Sequence, residues 1–209
     1  MLSRRLLIAA AAGLAAFPAA AAQARAPVVT ILGDSITAGL GLAAGDALPA
    51  QLQAALAAIG VAATVRGAGV SGDTTAGGLA RLDFSVQPDT RVCVIELGAN
   101  DYLQSVEPKV MQANLTAIVR RLKTRGIAVV LAGNNAPRTG SGAYGRAFDA
   151  VFPSVAHAGD AILAPDLLAG VEDRPGFRQA DGLHPNAAGV KIIAARLAPA
   201  VARALRSRK

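Results

Sequence analysis

The chain has 209 residues, a length that suits one α/β domain with an ample hydrophobic core. Its formal net charge is +7, but only 3% of the residues are aromatic and they are not interleaved with arginines, so the sequence contains no nucleic-acid-binding module. The single cysteine, Cys93, excludes an intramolecular disulfide, and stability must come from the core. Because Cys93 lies in an apolar strand, we expect it to be inert packing and not a nucleophile.

The first 26 residues have the pattern of a secretory signal peptide. Arg4 and Arg5 precede the apolar run Leu6–Ala22, and Ala24–Ala26 forms an A-x-A cleavage pattern. A transmembrane anchor is disfavoured because the run contains Pro18 and is largely alanine. Cleavage removes three arginines and no acid, which lowers the net charge to +4. The sequence therefore predicts export to the periplasm or the medium, by the Sec or the twin-arginine route.

The sequence after the signal peptide alternates apolar strands with amphipathic helices. Strands are predicted to end at Gly33 and to span Val61–Arg66, Arg91–Leu97, Ile127–Ala132 and Ala161–Leu163. Helices are predicted at Leu48–Ile59, before Leu82, at Met111–Leu122, at Tyr144–His157 and from Pro185 or Asn186 to Leu205. Gly67–Thr75 is predicted as a glycine-rich loop, and Leu167–Ala180 as mostly irregular chain.

This alternation of strands and helices is typical of a parallel sheet that is covered on both faces. We see no internal repeat and no linker long enough to divide the chain. Residues 27–209 are therefore predicted to form one three-layer α/β/α domain of the flavodoxin-like type, with a central parallel sheet of about five strands.

Ser35 is the first candidate for chemistry, because it follows directly where the first apolar strand stops at Gly33. The carboxyl ends of parallel strands form the edge of the sheet where ligands bind. Two more loops, Gly69–Gly72 and Gly98–Asp101, come after later strands and should reach the same edge. A serine hydroxyl is a weak nucleophile by itself, so it needs a base within hydrogen-bond reach and donors for the oxyanion.

Asp181 and His184 are the candidates for that base and for the group that orients it. Pro185 disfavours helix at His184 and suits the first turn of the last helix, so the histidine should lie on a fixed loop. Asp181, three residues earlier in a turn, can reach the ring's Nδ1 and set the tautomer, which lets His184 take the proton of Ser35. His157 is the other histidine and the alternative base, although a cation at its predicted helix end would also favour the helix dipole.

Four blocks of the sequence resemble the SGNH, or GDSL-type, hydrolase superfamily and occur in the order of that family. They are Gly33-Asp34-Ser35, Gly72 within GVSGDT, Gly98-Ala99-Asn100-Asp101, and Asp181-Gly182-Leu183-His184. The segments ILGDSITAG, ELGAND and ADGLHPNAAG are similar to the bacterial periplasmic arylesterase, thioesterase and lysophospholipase branch of the family.

The resemblance implies a role for each matching residue. Ser35 is implied to be the nucleophile, His184 the general base and then acid, and Asp181 its orienter. The implied oxyanion hole consists of the backbone N–H groups of Ser35 and Gly72 and the side-chain amide of Asn100. The enzyme is then expected to hydrolyse carboxylic acyl or aryl esters, with lysophospholipids and thioesters as further substrates, through an acyl-enzyme. No cofactor and no metal is expected.

Other readings of the sequence stay open at this point. One is a carbohydrate O-acetylesterase of the same fold, and another is a binding protein without activity. Gly67–Gly72 also fits the dinucleotide fingerprint G-x-G-x-x-G, but the first βα unit normally carries it. The expected partner is a small-molecule ester, with transient contact to membrane lipids, no nucleic acid and a monomeric state.

Two loops depart from the branch that the chain resembles. Tyr102–Ser105 follow GAND where a glycine-containing segment is usual, and Asn134–Pro137 follow the fourth strand. Because these loops help to shape the acyl pocket in the family, substrate preference transfers less well than the chemistry.

Overall fold

The computed structural model describes residues 25–136 and 142–207. The predicted signal peptide, apart from its last two residues, lies outside this part of the chain. The described residues contain five strands in one sheet: β1 Val28–Gly33, β2 Thr64–Gly69, β3 Thr90–Glu96, β4 Ala128–Gly133 and β5 Ile162–Asp166. Their order is β2-β1-β3-β4-β5, and each neighbouring pair is parallel. This is the flavodoxin-like order, as the sequence predicted.

Helices cover both faces of the sheet. They are α1 Ser35–Ala38, α2 Leu48–Ala58, α3 Thr75–Ala80, α4 Leu82–Ser85, α5 Ala99–Leu103, α6 Pro108–Thr124, α7 Ala143–Asp149, α8 Val151–Ala158 and α9 Ala187–Arg206. One core cluster joins the sheet to α2 and α9, and a second joins its other face to α4, α6, α7 and α8. The three-layer α/β/α prediction is therefore confirmed.

Strand β3 shows why its sequence is apolar at successive positions. Val92 and Val94 belong to the core cluster that contains α2 and α9, whereas Cys93 and Ile95 belong to the cluster on the opposite face. Each fully buried aliphatic side chain of this kind contributes about 1.5–3 kcal/mol. Burial raises the pKa of the Cys93 thiol to about 12, so the thiolate form is absent at neutral pH.

Two predicted elements differ from the structure. Strand β2 spans Thr64–Gly69 and not Val61–Arg66, so two glycines assigned to a loop lie in the strand. At Gly69 a Cβ atom would lie 2.7 Å from the carbonyl oxygen of Asp34, so the close approach of α1 requires glycine there. The single helix predicted at Tyr144–His157 is divided into α7 and α8 at Ala150.

The topology brings the candidate residues to one edge of the sheet. Strands β1 and β3 lie side by side but are not consecutive in the sequence, so the chain order changes direction between them. Ligands of open α/β sheets bind at such a switch point. Ser35 follows β1, Asn100 follows β3, and Gly72 follows the neighbouring β2. Among the described helices, none combines the length and the apolarity needed to cross a membrane.

Candidate active site

Ser35 lies at a tight turn between β1 and α1. Asp34 is the N-cap of α1, and its Oδ1 accepts a hydrogen bond from the backbone N–H of Ile36 at 3.0 Å. This bond satisfies one of the donors that a helix start leaves unpaired. The helix ends after one turn at Gly39, which has a φ of 74°. The Ser35 side chain is thereby held at the carboxyl end of β1.

Ser35, His184 and Asp181 form one chain of hydrogen bonds. Ser35 Oγ lies 2.9 Å from His184 Nε2, and His184 Nδ1 lies 2.7 Å from Asp181 Oδ2. The bond from His184 holds the pKa of Asp181 down at about 2, so this carboxyl is charged at neutral pH. A carboxylate can only accept, so Nδ1 carries the proton and Nε2 of the neutral ring is free to accept from the serine hydroxyl.

The loop before α9 fixes His184 in this position. Asp181 Oδ1 accepts from the backbone N–H groups of Leu183 and His184, at 2.9 Å and 3.0 Å. Asn186 caps α9 by accepting from the N–H of Gly189 at 3.1 Å. The helix begins at Ala187, close to the predicted start.

Gln179 is a part of this loop that the sequence analysis missed. Its backbone N–H donates to the carbonyl of His184 at 2.8 Å, and its side-chain Nε2 donates to the carbonyl of Leu40 at 2.8 Å. Gln179 therefore ties the histidine loop to the segment that follows Ser35. No sequence signal marks it, because the two contacting segments lie far apart in the chain.

The alternative base, His157, lies elsewhere. It is an exposed residue in the last turn of α8. Ser35 Oγ instead meets the ring of His184. The geometry therefore favours His184 over His157 as the candidate base.

Asn100 connects the Ser35 turn to the loop of Gly72. Asn100 Nδ2 donates to Asp34 Oδ2 at 3.1 Å and to the carbonyl of Asp73 at 3.0 Å. The amide of Asn100 therefore joins the turn that carries Ser35 to the loop that carries Gly72. Gly72 has a φ of 82°, which favours glycine, and no atom lies within 4 Å of a Cβ built there.

A second buried acid, Glu96, lies beneath the Ser35 turn. Its Oε2 accepts from the backbone N–H of Asp34 at 3.2 Å and from Thr37 Oγ1 at 2.7 Å. Burial, together with the nearby charge of Asp34, raises the pKa of Glu96 well above its usual value. The sequence analysis did not single out Glu96, although an acid at the end of a buried strand is a signal that could have done so.

Asp101 fastens two helices beside the site. Its two carboxyl oxygens accept from the backbone N–H of Thr75 at 2.8 Å and from Thr75 Oγ1 at 2.6 Å. These bonds hold the start of α3 against α5. Both carboxyl oxygens of Asp101 are thus engaged by Thr75, which is a structural role.

A largely apolar cavity of about 70 Å³ lies next to the site. Its lining includes the two loops that depart from the family pattern and one residue of the histidine loop, together with residues of α5, α7 and the segment after β5. These residues are Ala99, Tyr102, Leu103, Asn134, Asn135, Phe148, Leu168, Glu172 and Leu183. Phe148 packs edge-on against Tyr102, with ring centroids 5.1 Å apart. Ala99 and Leu183 directly precede Asn100 and His184, so the cavity adjoins both sides of the hydrogen-bonded group.

The donor set does not suggest a metal centre. In residues 25–136 and 142–207, no three His, Cys, Asp or Glu side chains are grouped so that they could hold an ion. Gly67 and Gly69 of the dinucleotide fingerprint lie inside β2 and not in a turn after it. Dinucleotide binding by this fingerprint requires a strand, a turn and a helix in that order, so the structure does not favour it.

A three-layer α/β/α fold in which a serine at the switch point of the parallel sheet is hydrogen-bonded to a histidine and an aspartate is typical of a class of hydrolases. The model of the GDSL-like lipase/acylhydrolase family matches residues 31–192. The chain belongs to this family. Membership makes the protein an enzyme that hydrolyses ester bonds.

Relatives and a solved structure agree with this assignment. The chain is 40% identical to esterase TesA of Pseudomonas aeruginosa over 164 residues, which is 78% of this chain and 82% of the relative. It is 34% identical to thioesterase 1/protease 1/lysophospholipase L1 of Escherichia coli (strain K12) over 172 residues, which is 82% of this chain and 81% of the relative. A crystal structure of TesA matches the fold with a TM-score of 0.80 and 36% sequence identity. The match covers 85% of this chain and 99% of the TesA chain.

Proposed function

We propose that the protein is an exported serine esterase in which Ser35 is the nucleophile. The observation that carries this proposal is the hydrogen-bonded chain from Ser35 Oγ through the His184 ring to Asp181. As Oγ attacks the ester carbonyl, Nε2 takes the hydroxyl proton and the imidazolium is stabilised by the Asp181 carboxylate. His184 then gives that proton to the leaving alcohol, and the acyl group stays on Ser35 as an ester.

The second half of the reaction reverses these roles. Water enters beside His184, which takes its proton while the oxygen attacks the acyl-enzyme. Collapse of the tetrahedral intermediate breaks the bond to Ser35 Oγ and returns the proton to it. The carboxylic acid is released and the hydroxyl of Ser35 is restored.

The developing oxyanion would be held by the N–H groups of Ser35 and Gly72 and by the amide of Asn100. One such donor is worth about 3–4 kcal/mol in the transition state. Both hydrogens of Asn100 Nδ2 already have acceptors, Asp34 Oδ2 and the carbonyl of Asp73. To serve the oxyanion, Asn100 must therefore release or share one of them, and the longer bond to Asp34 is the one we expect to yield.

The cavity supports esters of short acyl groups as the substrates. The cavity is small, at about 70 Å³, and is lined mainly by apolar groups, which favours a short acyl chain over a long one. Acetyl to butyryl chains fit this space best. Thioesters and lysophospholipids, the substrates that the name of the Escherichia coli relative indicates, present the same acyl carbonyl to Ser35. For lipid substrates, the exposed side chains of Leu40, Leu103 and Leu183 would make transient contact with the lipid surface.

Hydrolysis of p-nitrophenyl esters from acetate to palmitate, by the protein without residues 1–26, tests the proposal. Ser35→Ala should lower kcat by at least about 10³-fold, and Ser154→Ala, at an exposed serine whose Oγ accepts from Gln112, should leave it unchanged. A reactive phosphonate ester should label Ser35, as identified by peptide mass spectrometry.

The outcomes separate the alternatives. Equal activity in the Ser35→Ala variant would show that Ser35 is not the nucleophile. Cleavage confined to acetyl esters, with faster turnover of acetylated oligosaccharides, would favour the carbohydrate O-acetylesterase. If the protein neither hydrolyses the esters nor is labelled by the phosphonate, the result would favour a binding protein without activity. Secretion of the full chain, with a new N-terminus near Ala26 or Pro27, tests export.

A further inference from the structure

Arg81, at the end of α3, is bound to four acceptors around the base of the site. Its Nε donates to Asp73 Oδ2 at 2.7 Å, and its Nη2 donates to the carbonyl of Gly33 at 2.8 Å. Its Nη1 donates to the carbonyl of Ala68 at 2.8 Å and to Ser85 Oγ at 3.0 Å. The side chains of Arg81 and Asp73 are only 19% and 12% exposed, so this pair is largely shielded from solvent.

Two of these acceptors are carbonyls at the ends of adjacent strands. Gly33 is the last residue of β1 and directly precedes the turn of Asp34 and Ser35, and Ala68 is next to last in β2. A single guanidinium group thus bridges β1 and β2 where both strands reach the site.

The third acceptor extends this bridge to the other donors of the proposed oxyanion hole. Asp73 directly follows Gly72, so its carboxylate anchors the loop whose N–H group is one donor. The backbone carbonyl of the same Asp73 accepts from Asn100 Nδ2 at 3.0 Å. Arg81 therefore contacts the turn before Ser35 directly, and it reaches the donors of Gly72 and Asn100 through Asp73.

We propose that Arg81 is the positioning residue of the oxyanion hole, which sets the relative placement of the donors of Ser35, Gly72 and Asn100. The inference rests on the proposed function. Arg81 acts through other residues and does not touch the substrate. Its planar fork suits the task, because it can direct donors at three separate acceptors from fixed angles.

Lysine cannot reproduce this arrangement. Its ammonium group is one point charge on a flexible stem, so it can pair with Asp73 but cannot also reach the carbonyls of Gly33 and Ala68. Misplaced donors weaken binding of the oxyanion more than binding of the ground-state ester. We therefore expect Arg81→Lys to lower kcat by about 10-fold and Arg81→Ala by about 100-fold, both with smaller changes in KM, since complete loss of one donor costs about 10²–10³.

The control is Arg66→Ala. Arg66 also belongs to the β2 region and forms a two-bond pair with Asp89, at 2.9 Å for each bond, but the pair lies at the surface. Its removal should leave kcat unchanged. All assays are made well below the melting temperature of each variant, so that unfolding does not contribute to the loss.

Two readouts distinguish positioning from a merely structural role. An alkylboronic acid forms a tetrahedral adduct on serine, so its inhibition constant should weaken across the Arg81 variants in proportion to the loss of kcat/KM. Guanidinium ion at low millimolar concentration should restore part of the activity of Arg81→Ala, and it should not affect Ser35→Ala.

Each result has one meaning. Unchanged kcat and boronate affinity in folded Arg81→Ala would overturn the inference and leave the proposed function standing. If Arg81→Ala does not fold, the same two measurements on Arg81→Lys decide the question. Undiminished activity in Ser35→Ala would instead refute the proposed function itself.

Discussion

Glu96 and Asp34 are two acids buried against each other beneath the turn of Ser35, with the Glu96 carboxyl 3.2 Å from the backbone nitrogen of Asp34. Two adjacent carboxyls cannot both be charged at low cost in such a place. Asp34 accepts from the N–H of Ile36 and from the amide of Asn100, which favours its charged form. Glu96 is completely enclosed and holds the proton, because burial raises its pKa well above the usual value.

This division of charge predicts that Glu96→Gln is tolerated and changes the dependence of stability on pH. Glu96 has a raised pKa in the folded state, so its contribution is fully present below the unfolded value, near 4.5, and is lost as pH rises through the folded value. Glutamine is an isostere of the neutral acid and does not titrate. The variant should therefore gain stability relative to wild type as the pH rises from 5 to 9, in thermal unfolding followed by circular dichroism.

The control for this experiment is Glu107→Gln, at an exposed position. Burial also raises the pKa of Asp34 in wild type, and neither substitution exposes Asp34, so part of the slope should persist in both variants. If the free energy of unfolding of wild type and of Glu96→Gln falls in parallel over this pH range, Glu96 is not the acid that stays protonated in the folded state.

Asp181→Asn should leave the site folded and lower kcat by about 10⁴-fold. Asparagine can offer its N–H₂ group to Nδ1, which favours the tautomer with the proton on Nε2, and that nitrogen then cannot accept the proton of Ser35. The measurement is kcat/KM for p-nitrophenyl butyrate. A loss of less than tenfold contradicts the assigned orienting role.

The matched control is Asp89→Asn, because hydrogen bonds to Arg66 lower the pKa of Asp89 too. Both acids contribute stability above their unfolded pKa of 3.8, and this contribution is lost as pH falls, for Asp181 down to about 2. Both variants should therefore flatten the acid end of the stability curve. Only Asp181→Asn should affect kcat.

Most of the fold could be predicted because its signals are local. The apolar runs of β1, β3 and β4 and the periodic helices α2, α6 and α9 are readable within short windows. Strand β2 was misplaced because its last residues include glycines, which favour loops locally, whereas the packing of α1 against Gly69 decides the structure. The break at Ala150 does have a local signal, Pro153 in the first turn of α8, because proline cannot donate to the carbonyl four residues before it. The sequence analysis did not use this signal.

The site divides in the same way. Asp181 and His184 lie three residues apart, so their contact follows from one turn. Glu96 and Arg81 act over 62 and 48 residues in their bonds to Asp34 and Gly33. Such contacts depend on strand order and register, which no short segment contains. The positions of the polar groups that support the site could therefore not be predicted before the strand order and register of the sheet were known.

Gly69→Ala tests how closely α1 must approach β2. A methyl group at this position would meet the backbone of α1, including the carbonyl oxygen of Asp34 at 2.7 Å. Backbone cannot rotate away as a side chain can, so we expect a loss of about 1–3 kcal/mol in the free energy of unfolding. The shift of α1 should also move Ser35 and reduce kcat. Gly45→Ala is the control, since no atom lies within 4 Å of its added methyl group. Equal stability of the two variants in urea unfolding would contradict the prediction.

The cavity beside the site predicts the acyl-chain preference and the residue that limits it. Tyr102 lines the cavity and packs against the rings of Phe148, at 5.1 Å, and Tyr144, at 5.5 Å. Tyr102→Ala should open the cavity, and each further methylene that becomes buried contributes about 0.8 kcal/mol, or roughly fourfold in kcat/KM. The preferred substrates of wild type should lie in the range from the acetate to the butyrate ester. Those of the variant should have chains about two to four carbons longer. Tyr102→Phe keeps the ring and should keep the wild-type preference. An unchanged optimum in Tyr102→Ala, measured across the p-nitrophenyl ester series, would place the acyl group elsewhere.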